Sequence, residues 1–186
     1  MTCDDIFQGS VLTEPQMKED LKVLSGYCEN IGLQTVPIPR SLANPIPALA
    51  ILLEDDEQGR VRMMTASFLP LDRKDVEFTK YLQFYLELQN SLEGIDRVEL
   101  LELLMWLNAR LSVGCCVLRE AEGDRPMRVI LRSSQGCPLC EAVDVAVFTE
   151  KLLLFDNDCD AVSGFLDLMA EGKSFAEIRA LLEREP

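Results

Sequence analysis

The sequence predicts an α+β fold: one antiparallel sheet, built in the order helix, three strands, helix, two strands, C-terminal helices. Three observations carry this prediction. Residues 92–111 (LEGIDRVELLELLMWLNARL) repeat their apolar positions at helical spacing and run straight into the short apolar strand VGCCVL. Residues 81–88 alternate, with Leu82, Phe84, Leu86 and Leu88 on one face and Tyr81, Gln83, Tyr85 and Glu87 on the other. Two further pairs of apolar runs are each joined by a short polar turn containing glycine, as antiparallel hairpins are.

Taken in order, residues 1–14 form a loose lead-in, and Glu14-Pro15 opens an amphipathic helix reaching about Asn30. Met17, Leu21, Leu24 and Cys28 share its apolar face, and Gly32 lies just past its end. The following segment carries Pro37, Pro39, Pro45 and Pro47, which exclude a helix and predict an extended or turning connector. Residues 48–53 and 60–69 read as a hairpin closed by the acidic turn 54–59, and Pro70 ends it. Residues 113–119 and 127–132 form a second hairpin around the turn 122–126. From Pro138 onward the pattern is helical, with an expected break at Asp156-Asn157-Asp158 and a stop at Gly172. Ser174 and Glu177 then form a capping box that starts an appended helix over 173–186.

The 92–111 helix organises the rest. Leu100, Leu104, Leu107 and Leu111 make one stripe, and Val98, Leu101, Met105 and Ala109 make a second beside it. A helix apolar over so wide an arc is packed between two partners, so a sheet is expected on one side and a second helix or second subunit on the other. The subunit reading makes the protein a homodimer, with Glu99, Glu102, Leu103, Trp106 and Arg110 as interface residues. An indole flanked by Glu102 and Arg110 suits an interface, where charges pair across a two-fold axis. The alternative places Trp106 under the C-terminal helices of its own chain.

At 186 residues the chain suits a single domain spanning 1–186. Its 18 basic and 32 acidic residues leave a net charge of −14, which argues against nucleic acid or an anionic membrane as partner. The start lacks the basic and apolar regions of an export signal, and no apolar run is long enough to span a bilayer. A cytoplasmic location is expected. Seven scattered cysteines do not form a disulfide framework. Histidine is absent, which removes the commonest general base and the commonest zinc ligand.

The element order, together with LLMWLNARLSVGCCVL (an apolar helix carrying Leu107-Asn108, then a strand opening with Val113-Gly114), resembles the YbjN family and, more broadly, the type III secretion chaperone-like fold. The resemblance spans about residues 16–155 as an order of elements, and in letters only the neighbourhood of residues 106–114. It implies a small acidic homodimer without enzymatic activity that binds another protein, as chaperone or regulator. The capped helix after Gly172 departs from the minimal pattern.

Cys137-Pro138-Leu139-Cys140, read as following a strand and opening a helix, has the local form of a thiol-disulfide redox site, in which a helix N-terminus lowers a thiol pKa. Such a domain needs further strands after the helix, whereas only helix follows. Zinc held by Cys137, Cys140, Cys115 and Cys116 is disfavoured because adjacent strand residues point to opposite faces. Residues 156–167 share the acidic spacing of a calcium loop, but Ala161 stands where glycine is required and Asp167 where a glutamate closes the site. Arg60, Arg62, Arg128 and Arg132 alternate with apolar residues and predict a polar sheet face that pairs with acids. No catalytic residue, cofactor or metal site is expected.

Overall fold

The computed structural model describes residue 7 and residues 9–182. The elements are α1 (Glu14–Asn30), β1 (Gln34–Ile38), β2 (Ala48–Leu52), β3 (Met63–Phe68), β4 (Thr79–Glu87), α2 (Arg97–Asn108), β5 (Cys115–Arg119), β6 (Arg128–Pro138), α3 (Val145–Ala170) and α4 (Phe175–Leu182). All six strands form one antiparallel sheet in the order β1-β2-β3-β4-β6-β5. The chain is therefore α+β, as expected, with helices packed on one face of an antiparallel sheet.

The core lies between that face and the helices. Leu82, Phe84 and Leu86 of β4 and Leu88 just past its end are buried, while Tyr81, Gln83, Tyr85 and Glu87 on the opposite face are only half-buried. Phe84 meets Phe148 and Phe155 of α3 at ring-centroid distances of 6.1 and 6.0 Å. Met17, Leu21, Leu24 and Cys28 of α1 enter the same core. Thr13 and Gln16 form a capping box at the start of α1, satisfying backbone N–H groups that have no helical partner.

Several expectations are corrected. The proline-rich connector contributes a fourth early strand, β1, because Pro37 sits on an edge strand where a missing N–H costs no ladder bond. The central helix has 12 residues, not twenty: Asp96 caps it, accepting N–H bonds from Val98 and Glu99 at 2.9 and 3.1 Å, and Gly94 before it takes a φ of 79°. β6 runs on to Pro138, so Cys137-Pro138 ends a strand instead of opening a helix. α3 passes unbroken through Asp156-Asn157-Asp158, because these acids find partners outside the helix.

Those partners are on the β2–β3 hairpin and the α2–β5 turn. The Asp158 carboxylate, 5% exposed, accepts the N–H groups of Ser112, Val113 and Gly114 at 2.9, 3.0 and 2.9 Å. Arg62 donates to Asp160 at 2.6 Å and to the carbonyl of Glu54 at 2.6 Å. Asp156 Oδ1 lies 3.1 Å from Arg62 Nη1, and burial pushes its carboxyl above the usual range against that cation. Arg60 bridges Asp56 at 2.6 Å and Asp167 at 2.7 Å, and also bonds Ser163 at 2.9 Å. Arg60 and Arg62 thus tie the hairpin to α3 and do not decorate a sheet face.

Replacing Phe84 by alanine removes a fully buried ring and costs about 3–5 kcal/mol in urea unfolding. Hydrogen bonds from Arg60 hold the Asp167 carboxyl below the usual range, and at Asp56 Arg60 and Gln58 outweigh a burial that pushes upward. Both groups bind protons less readily folded than unfolded, so their stabilisation is complete above the ordinary value of 3.8 and fades as pH falls through the folded values. Arg60→Gln is expected to lower stability at neutral pH by roughly 1.5–3 kcal/mol, and the gap to wild type is expected to narrow in unfolding experiments at acid pH.

Candidate interaction surface

The turn from α2 into β5 is held by Asp158 on one side and Asn108 on the other. Asn108, the last residue of α2, donates from Nδ2 to the Cys116 carbonyl at 3.1 Å and accepts the Cys116 N–H at 2.6 Å. Its amide thereby takes the place of a neighbouring strand and occupies part of the β5 edge, a feature natural sheets use against unwanted pairing. Gly114 is closely packed, since a Cβ there would lie 3.1 Å from Leu131 and 3.3 Å from the Asp158 carboxylate, so both side chains would have to give way. The Leu-Asn and Val-Gly letters on which the sequence resemblance rests are thus the residues that make this turn.

α2 itself presents two different sides. Leu100, Leu103, Leu104 and Leu107 are buried. Trp106 packs edge-on against Phe165 of α3 and Phe175 of α4, at centroid distances of 6.1 and 6.3 Å, and the Arg110 guanidinium lies 3.9 Å from its ring centre. Glu99 accepts the backbone N–H of Phe175 at 3.1 Å. The expectation that Leu103 and Trp106 face a partner is therefore corrected: both are covered within their own chain, Trp106 by the C-terminal helices. Glu102 and Arg110 remain exposed. α4 is an integral part of this packing, with Ile178 only 1% exposed, and its capping box forms as expected through Ser174 and Glu177.

The second stripe of α2 is what the fold leaves uncovered. Val98 and Met105 are 62% and 74% exposed, Ala109 is exposed, and Leu101 is half-buried. The sheet face opposite the helices is uncovered as well. One row crosses all six strands there, through Val36, Ala50, Thr65, Tyr85, Arg132 and Cys115. Strand residues on this face carry Arg119, Arg128 and Arg132 against Glu87, which pairs with Arg128. The face is thus mildly basic in a chain of net charge −14.

The cysteines do not assemble a redox or metal centre. Cys137 lies at the end of β6, beside Lys80, with 4% exposure, and burial raises its thiol pKa although Lys80 opposes this. α3 begins only at Val145, capped by Asp144, so no helix N-terminus meets Cys137. Cys115 is exposed and Cys116 buried, on opposite faces of β5, as strand alternation requires. The acids of 156–167 lie along α3 and form no loop. Among the described residues no cluster of three or more His, Cys, Asp or Glu is placed to hold a metal ion, and no helix is long and apolar enough to cross a membrane.

Fold and surface together describe an α+β protein with one helix-covered and one open sheet face and an apolar stripe exposed on α2. No family model and no curated protein sequence match this chain. Among solved structures it is similar to YbjN from E. coli, named there as a candidate transcription regulator, with a TM-score of 0.47 and 15% identity over 82% of this chain and 93% of that one.

Thiol accessibility tests this placement. Native protein treated with a thiol reagent is expected to be modified rapidly at Cys115 and Cys140, and at Cys28, Cys116, Cys137 and Cys159 only after unfolding. Peptide mapping by mass spectrometry reads the outcome. Rapid modification of Cys137 at neutral pH would restore the redox reading.

Proposed function

We propose that this chain is a non-enzymatic protein-binding module, chaperone-like or regulatory, that works in the cytoplasm as a homodimer. The observation carrying this reading is the apolar stripe on α2 in which Val98 and Met105 are exposed among the described residues, with Leu101 half-buried between them. Exposed apolar side chains aligned on one helix face mark an association surface more often than a solvated one. The interface residues proposed from this are Val98, Leu101 and Met105, with Glu102 and Arg110 at the margin. Free cysteines in six described positions suit a reducing compartment.

The shortness of α2 sets the strength of such a contact. Twelve residues make a rod of about 18 Å, too little by itself for the roughly 800 Å² per partner of a standard stable interface. Dimerisation in the micromolar range is therefore expected, strong enough to exchange for a client protein. Sedimentation velocity over a concentration series checks this. Wild type is expected to show a concentration-dependent dimer, and Met105→Glu a folded monomer. A wild type that stays monomeric at high micromolar concentration rejects the dimer, and a Met105→Glu protein that still dimerises rejects α2 as its interface.

A further inference from the structure

One hollow on the surface is chemically distinct from the rest. It lies between α1 and the β1–β2 hairpin and measures about 540 Å³, within the range of small-molecule sites. Leu21, Ile38, Leu49, Pro37, Pro39 and Pro47 supply most of its wall. Leu21 and Leu49, 5% and 1% exposed, also belong to the core, so the hollow opens onto the interior of the fold. Pro37, Pro39 and Pro47 restrict the backbone on its β1–β2 side, so much of that wall is formed before anything enters.

Its polar lining is equally specific. Lys18 and Lys22 of α1 both contribute, one helical turn apart on the same face. Like charges at that spacing repel by a few tenths of a kcal/mol, and Lys18 is offset by Glu14 at 2.6 Å. Lys22 forms no ion pair among the described residues. In a chain of net charge −14, an apolar hollow bordered by an uncompensated ammonium selects for an anion with an apolar body.

From this geometry we infer a binding site for a medium-chain aliphatic carboxylate. The tail occupies the proline-walled hollow, and the carboxylate meets Lys22 with Lys18 beside it. The site is separate from the α2 stripe, so it stands or falls independently of the homodimer. Octanoate is the probe, and octanamide is its uncharged counterpart of nearly equal size. Titration calorimetry on the full chain is expected to give one octanoate per chain, with a dissociation constant on the order of 100 micromolar. Octanamide is expected to bind about ten-fold or more weakly, since a charge-assisted contact is lost.

Two variants locate the binding. Lys22→Glu changes an exposed side chain and is expected to keep the fold, by circular dichroism, while weakening octanoate about ten-fold or more. Pro37→Trp places an indole on the α1 side of an edge strand, in register with Leu49, and is expected to fill the hollow and abolish binding. Absence of octanoate binding to wild type at millimolar concentration overturns the proposal. So does equal affinity for octanamide, or an octanoate affinity that either folded variant leaves unchanged.

Discussion

The fold depends on one buried carboxylate. Asp158 stands on the core-facing side of α3, in step with Phe155, Cys159 and Val162, where an uncompensated charge is strongly disfavoured. It is tolerated because three consecutive backbone N–H groups, those of Ser112, Val113 and Gly114, converge on it. Removing either side would leave the other desolvated and unpaired. The contact therefore sets both the end of α2 and the start of β5, and it anchors α3 across the sheet.

The remaining acids of α3 follow the same logic at the helix margins. Arg62, itself 5% exposed, reaches Asp160 and Asp156, while Arg60 reaches Asp167. Lys80 on β4 repeats it towards α1, bonding Asp20 at 2.7 Å with its ammonium 5.5 Å from the Phe68 ring centre. α1 and α3 are thus fastened to β4 and to the β2–β3 hairpin by at least one shielded ion pair each, in addition to apolar packing. Such pairs contribute less to net stability than burial does, but they are costly to mismatch, and so they hold the helices in one register over the strands.

That register governs which surfaces stay open. With α1 and α3 on one face of the sheet, no helix among the described residues packs on the row from Val36 to Cys115 on the opposite face, an arrangement antiparallel sheets accommodate. With Trp106 occupied by Phe165 and Phe175, the side of α2 carrying Val98 and Met105 is exposed among the described residues. The proline-walled hollow has a similar origin, because β1 is an edge strand and no further strand among the described residues lies beyond it.

Local periodicity made much of this legible. The alternation of 81–88, the stripe of α1, the two hairpins and the capping box at Ser174 all depend on neighbours within one or two turns, and each has its expected place. The elements that differed depend on distant partners. Pro37 reads as a strand breaker until its strand is known to be an edge, and Asp156-Asn157-Asp158 reads as a helix break until Arg62 and the 112–114 turn supply partners. Asp158 did leave a trace, a carboxylate on the apolar side of a helix, but what would satisfy it lay 44 to 46 residues away. The sequence by itself determined the α+β class, the buried face of each strong element and an apolar surplus on the central helix. Only the tertiary structure decided which part of that surplus is covered, because a helix cannot specify from its own letters which of two apolar stripes the C-terminal helices will cover.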